Sequence, residues 1–154
     1  MSLGEKFSID IKTGHAERGT QSGAVLRLFV EDTNPPKVKY FIVVGMTQDG
    51  ISLASVYINS EVNMIMNYSK ELRSLHLPLS TDDCDFLDHD SFVDCSRLVI
   101  RDRERIYQDL LSCPEAFVGT LSQNQLTTIR NRIIGAKTIK GKIKKKFGLY
   151  DHEP

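Results

Sequence analysis

The sequence predicts an α+β domain that is mainly β and ends in a helix or two. Three observations carry that expectation. Apolar and polar residues alternate through much of the first two-thirds of the chain, and glycine, proline and asparagine clusters cut that stretch into strand-sized pieces. The apolar period then lengthens to that of a helix after Leu121. The 154 residues are expected to form one domain, 1–154, large enough to bury roughly 68–70 % of its unfolded surface. With 40 % apolar and 26 % charged residues, the composition is that of an ordinary globular protein, not of a disordered, collagen-like or coiled-coil chain.

Residues 7–106 read mostly as strands. Phe7, Ile9 and Ile11 alternate with Ser8, Asp10 and Lys12, the pattern of a half-buried strand. Thr13–Gly23, with three glycines, reads as a loop and Ala24–Val30 as a second strand. Asn34-Pro35-Pro36 removes two backbone donors and should turn the chain. Val38–Val44 is the strongest strand, apolar enough to lie centrally with both faces covered. Gln48-Asp49-Gly50 marks a hairpin that returns Ile51–Ile58 antiparallel beside it. Val62, Ile65, Met66, Ser69 and Leu72 fall at helical spacing, which predicts one short inserted helix over Glu61–Leu75. Leu75–Leu79 and Ser91–Cys95 read as strands around the acidic segment Thr81–Asp90, and Arg97–Ile106 as a further strand with arginines on its exposed face.

Residues 121–147 read as helices. Ser122 can cap, Gln125 can reach back to it, and Leu121 can staple onto Leu126. Leu126, Ile129, Ile133 and Ile134 then form one stripe, with Gly135 as the expected cap. Ile139, Ile143 and Phe147 predict a second amphipathic helix over Lys137–Phe147.

Several functional classes are excluded or made unattractive. No apolar run approaches the ~20 residues of a membrane span, and Met1–Lys6 lacks the apolar core of a secretory signal. A cytoplasmic protein without a membrane partner is expected. Cys84, Cys95 and Cys113 are odd in number and form no Cys-x-x-Cys pair, which favours reduced thiols over disulfides or a zinc site. No P-loop, G-x-G-x-x-G, G-x-S-x-G or H-E-x-x-H motif is present. His15 and Glu17 are a weak acid/base pair. The segment Asp82–Asp90 holds five aspartates but fails the EF-hand spacing. It reads as a solvated acidic loop anchored by Phe86 and Leu87, and no metal is expected.

Twenty basic residues balance twenty acidic ones, yet the charge is unevenly spread. Arg130, Arg132, Lys137, Lys140, Lys142, Lys144, Lys145 and Lys146 follow one another with no acid from Ile129 to Tyr150. Such a run either attracts phosphates through its local field or simply solubilises the outer face of a packed helix.

Two stretches carry a family resemblance. Asp90-Ser-Phe-Val-Asp-Cys-Ser-Arg-Leu98 followed by Phe117-Val-Gly-Thr-Leu-Ser-Gln-Asn-Gln-Leu126 resembles the MazF/PemK growth-inhibitor (toxin) family. Gly23-Ala-Val-Leu26 is similar to that family's opening "G-D-I/V" strand. Lys37–Gly45 stands where "R-R-P-h-h-V-h-S" is usual, and Ile51–Ser60 where a strand ending "P-h-T-S" is usual. The resemblance covers residues 23–134. It implies an SH3-like β-barrel, a homodimer, and a metal-independent, cofactor-free endoribonuclease acting on single-stranded RNA, restrained by an antitoxin protein.

The resemblance also implies a site, from which the chain departs. Lys39 occupies the position of the family's catalytic arginine, with Tyr40 in place of proline; Asn59 and Ser60 fall where threonine and serine are expected. Lysine is a point charge without the bidentate fork, so the exchange matters for phosphate chemistry. Lys39, Asn59 and Ser60 are thus the catalytic candidates, and Lys37, Tyr40, Lys142, Lys144, Lys145 and Lys146 the RNA-binding ones. Each has a plainer reading. Lys39 can be an exposed strand lysine, Asn59 and Ser60 a turn and helix cap, Tyr40 a core residue, and Cys95 a small buried side chain. The alternative function is a non-catalytic SH3-like module that binds a protein or nucleic acid.

Overall fold

The structure, a computed structural model, describes residues 3–151, with residues 3–7 described by their backbone alone. Seven antiparallel strands share one sheet: β1 (Ala24–Val30), β2 (Lys37–Met46), β3 (Ser52–Asn59), β4 (His76–Leu79), β5 (Ser91–Asp94), β6 (Val99–Asp102) and β7 (Phe117–Thr120). The order is β4-β5-β3-β2-β1-β7. One edge of β3 serves two partners: Ser52–Ser55 pair with β6, and Ile58 and Asn59 with β5. The sheet curls as a half-barrel. Around it lie α1 (Leu3–Arg18), α2 (Lys70–Arg73), α3 (Arg103–Ser112), α4 (Gln123–Gly135) and α5 (Gly141–Lys146). The chain is therefore α+β, with more helix than the sequence suggests.

The expected central strand is central. Strand geometry sends successive side chains to opposite faces, and in β2 both faces find a core. Ile42 and Val44 join Val56, Ile58, Val93, Ile129, Ile133 and Phe147 on the α4/α5 side. Phe41 and Val43 join Leu26, Leu53, Tyr57, Ile106 and Leu110 on the α1/α3 side. All four β2 residues are at most 1 % exposed, and burying each such side chain is worth about 1.5–3 kcal/mol. Gly50 closes the β2–β3 hairpin at φ +74°, where a side chain would be strained. At α4 the capping box forms as expected. Ser122 Oγ accepts from the Gln125 amide at 3.2 Å, and the Ser122 amide donates to Gln125 Oε1 at 2.9 Å.

Five expectations about elements need correction. Residues 7–12 are not a strand but part of α1, which runs on through Thr13–Arg18, the first half of the expected loop. Ile9 and Ile11 are about half exposed, so their alternation marked no buried face. What anchors α1 is its far end, where Ala16 is buried against the α3 side of the core. The inserted helix over Glu61–Leu75 shrinks to α2. Asn63 and Asn67 bond the local backbone instead of leaving it to a helical ladder, and the helix cap is Ser69, not Asn59 or Ser60. The strand expected over Arg97–Ile106 ends at Asp102, after which α3 buries Ile106 and Leu110. Gly135 is the last residue of α4 and Ala136 its cap. Finally, Lys137–Phe147 is helical only over Gly141–Lys146, with Ile139 and Phe147 buried and Ile143 exposed.

Gly45 sits at a register shift in the β2–β3 ladder, and a Cβ there would lie 2.4 Å from the Phe147 carbonyl oxygen. Gly45→Ala should therefore destabilise the protein by at least the ~1–3 kcal/mol typical of overpacking. Gly135→Ala, with open space around its Cβ, should be neutral or stabilising by up to ~1 kcal/mol. Urea denaturation of both variants measures the contrast.

Candidate anion-binding groove

The β2–β3 register decides which polar side chains meet. Tyr40 pairs with Ile58, so Lys39 stands across from Asn59 on the opposite face. There the Lys39 ammonium donates to Asn59 Oδ1 and lies 5.2 Å from the Tyr57 ring centroid. Lys37, Lys39, Asn59 and Ser60 line one groove of about 620 Å³, joined by His76, Asp94 and Arg97 from β4, β5 and the turn after it. The cation and the hydroxyl on which the resemblance bears thus share a groove.

Tyr57 is the hub of the local electrostatics. Its ring has Lys39 at 5.2 Å, Arg101 at 5.3 Å and Arg97 at 5.6 Å, within the range of attraction between a cation and a ring face. Its hydroxyl donates to Asp32 and accepts from Arg101 Nη2 at 2.9 Å. Burial and the Asp32 bond push the Tyr57 phenol up, against the pull of Arg101, so it stays a donor. Lys39 is shifted the other way. Burial first, then the Lys37 charge, hold its ammonium below the usual lysine range, opposed by Asp94 and reinforced by Arg97. A half-buried ammonium pressed by two other cations is stabilised by any anion that enters.

His76 and Asp94 complete the floor. His76 is buried; its Nε2–H donates to Asn67 Oδ1 at 2.9 Å and lies 3.8 Å from Asp94 Oδ1. Its Nδ1 is buried and has no hydrogen-bond partner among the described residues. Asp94 Oδ1 accepts from the Ser96 amide at 2.9 Å and from Ser96 Oγ at 2.5 Å. His76, Asp94, Arg97 and Glu61 are among the groove residues that reading the sequence misses. The available signal was the alternation of β5, where inward Val93 leaves Asp94 on the face shared with Lys39.

The other candidates go elsewhere. Tyr40 faces the α4/α5 core, 6.3 Å from the Phe86 ring and 5.8 Å from the Arg27 guanidinium. Lys145 and Lys146 line a separate groove with Met46, Thr47 and Asp49, and Lys142 is exposed. Lys144 is occupied: its Nζ donates to the carbonyls of Ile134 at 2.8 Å and Ala136 at 2.6 Å, closing the end of α4. Arg130 likewise binds the carbonyls of Val44 and Gly148, both at 2.7 Å. The basic run is therefore partly internal scaffolding.

The remaining candidates are structural. His15 Nε2–H donates to the Pro114 carbonyl at 2.7 Å. The acidic segment is pinned by buried Cys84 and Leu87 and by Asp90, which accepts from the Thr81 amide at 2.9 Å. No cluster of three metal-ligating side chains occurs among the described residues. Cys95 is fully buried, its thiol pushed up to about 12 by burial. No protein-family model matches the chain, and no curated protein does.

Two predictions follow from these contacts. In NMR titration of the Lys39 side chain, the midpoint should fall below the usual lysine range. Lys37→Gln and Arg97→Gln should raise it and Asp94→Asn should lower it further. Because the folded midpoint lies below the unfolded one, Lys39 adds stability as pH rises through that interval. Separately, Lys144→Met should cost about 1.5–3 kcal/mol in urea denaturation, the range for hydrogen bonds to a charged group. Lys145→Met should stay within ~0.5 kcal/mol.

Proposed function

We propose that the groove binds the phosphodiester backbone of single-stranded RNA, and that the chain is a MazF/PemK-like, toxin-type endoribonuclease built on a divergent SH3-like half-barrel. The observation that carries this reading is the convergence of Lys37, Lys39 and Arg97 on one groove that Asn59 and Ser60 also line. Strand cleavage by the ribose 2′-hydroxyl requires a base, an acid for the leaving oxygen and a charge stabiliser at phosphorus. Lys39 and Arg97 suit the last role. Lys39, held below the usual lysine range, also gives up a proton more readily than an ordinary lysine. Ser60 and Asn59 would orient the phosphate and ribose. Two carboxylates line the groove, Glu61 and Asp94; Asp94, whose Oδ1 is fixed by Ser96 and whose charge acts on Lys39, would accept the 2′ proton.

A second reading is a non-catalytic binding module that uses the same cations. It is favoured by the state of the side chains: the Lys39 ammonium is already bonded to Asn59. The His76 Nε2–H is also engaged, and its Nδ1 is shut away from solvent.

One experiment separates the two. The full chain is incubated with mixed-sequence single-stranded RNA in excess chelator, and both binding and 5′-hydroxyl ends are followed against salt. The ribonuclease reading expects new ends, reduced about 10²-fold or more in Lys39→Ala. It also expects a salt dependence of binding shallower by ~0.7 in that variant. Binding with the same slope change but no new ends supports the module. RNA binding that is absent, or indifferent to Lys39, overturns both.

A further inference from the structure

We propose that the outer face of α5, with the adjoining end of the β2–β3 hairpin, adsorbs reversibly to an anionic phospholipid bilayer. The way the structure sorts the basic run points there. Arg130 and Lys144 are engaged by backbone carbonyls, Arg132 donates to the Ser74 carbonyl, and Lys137 pairs with Glu71 at 3.6 Å. Lys140, Lys142, Lys145 and Lys146 are instead exposed. Helical spacing sets Lys142 beside both Lys145 and Lys146 on one side of α5.

Acids stand near these lysines and count against them. Asp49 lines the same groove as Lys145 and Lys146, and Asp151 and Glu153 follow α5 in the sequence. Asp49 is committed to its own turn, where its Oδ1 accepts from Thr47 Oγ1 at 2.6 Å and from the Ile51 amide at 3.0 Å. No acid falls between Ile129 and Tyr150, and the engaged cations Arg130, Arg132 and Lys144 add to the same field. The local potential is therefore positive although the whole chain is neutral.

The kind of polyanion follows from what accompanies the charge. Aliphatic edges lie beside the lysines: Met46 is 40 % exposed and Ile143 38 %. Lysine stems cover such edges while their heads reach outward, the composition of a helix that rests on a headgroup layer. A nucleic-acid strand asks for a groove that tracks its backbone and for rings on which its bases stack. The groove beside α5 carries the Asp49 carboxylate and offers one ring, Tyr150. A strand laid in it would meet that carboxylate, whereas a bilayer is too broad to enter and would meet the lysine heads at the rim. No helix among the described residues is long and apolar enough to cross a membrane, and adsorption needs none. Each lysine near an anionic surface strengthens adsorption about fivefold, so four give roughly 10²–10³-fold, a reversible association short of anchoring. The RNA reading of the Lys39 groove has no part in this contact.

The test is flotation of the full chain with vesicles of phosphatidylcholine, either alone or with about a third of phosphatidylglycerol. The expected result is association with the anionic vesicles alone, weakening as salt rises. Lys142→Gln/Lys145→Gln/Lys146→Gln changes only exposed positions, so the urea midpoint should hold while the lipid affinity falls on the order of hundredfold. No association, equal association with neutral vesicles, or an affinity indifferent to the triple variant overturns the proposal. A loss as large in Lys37→Gln/Arg97→Gln would move the contact to the other groove and overturn it too. Displacement by millimolar glycerol phosphate would reduce the surface to a discrete phosphate site. RNA binding that the triple variant loses, while vesicles go unbound, would make it a nucleic-acid surface. Either of these results also overturns the proposal.

Discussion

Burial of β2 on both faces is the constraint from which the rest of the architecture follows. A strand with Phe41, Ile42, Val43 and Val44 at most 1 % exposed needs neighbours on both edges and a helical layer on each side. β1 and β3 supply the edges; α1 and α3 cover one face, and α4 with the C-terminal segment covers the other. The close approach of the Phe147 carbonyl to Gly45 shows how tightly the last segment is drawn onto that strand. Deleting any one of the four side chains would leave a cavity at a place where two layers meet, with a cost in the ~2–5 kcal/mol range of core truncations.

The same strand sets the electrostatics by running out of apolar residues at its start. Beyond Phe41 the face that carries Tyr57 continues with Lys39 and then Lys37, so the core gives way to a cationic rim without a break in the ladder. Tyr57 sits at that junction, its ring apolar enough for the core and its hydroxyl polar enough to hold Asp32 and Arg101. An aromatic ring whose face attracts cations lets Lys39, Arg97 and Arg101 stay close together, where bare like charges would repel. Asp32 and Asp94 offset part of that repulsion. The groove lining then holds Lys37, Lys39 and Arg97 against Glu61 and Asp94.

Much of this was legible in the sequence, and the misses have physical causes. β1, β2, β3 and the capped start of α4 were readable because local chemistry and tertiary need agree there: alternation or a continuous apolar run, a glycine at the turn, a serine and glutamine three apart. The N-terminal segment failed because a three-step alternation of Phe7, Ile9 and Ile11 is too short to tell a strand from a helix that is anchored near its far end, by Ala16 and His15. Glu61–Leu75 failed because helical spacing says nothing about whether a surface exists to receive the stripe; Ile65 and Met66 have none. α3 was hidden by arginines at alternate positions, which suit a strand edge and a helix surface equally. At the site, Lys39, Asn59 and Ser60 were singled out by the MazF/PemK resemblance, and the β2–β3 hairpin then sets Lys39 across from Asn59. His76, Asp94 and Arg97 arrive from strands distant in sequence, and only the β3–β5 pairing brings them in.

The exchange of lysine for the arginine that the MazF/PemK resemblance expects at position 39 gains meaning from that convergence. A lysine alone would lose the planar fork that grips a phosphate at two points. Arg97, stacked near the same Tyr57 ring, brings a guanidinium to the groove from after β5. The fork would then reach the ligand from the far wall, and Lys39 would supply a single charge opposite. A site divided in this way makes different demands on its two cations. Lys39 is fixed by Asn59 and half-buried, so in such a site it would contribute position and, held below the usual lysine range, a readily released proton. Arg97 is mostly exposed, held by Asp32 at 3.9 Å and by the Tyr57 ring at 5.6 Å, so a swing onto a phosphate would break only weak contacts. An anion entering the groove would thus exchange one solvent-screened ion pair, worth little at a surface, for a bidentate contact worth more. That difference favours occupation of the groove from the arginine side, with the lysine already in place.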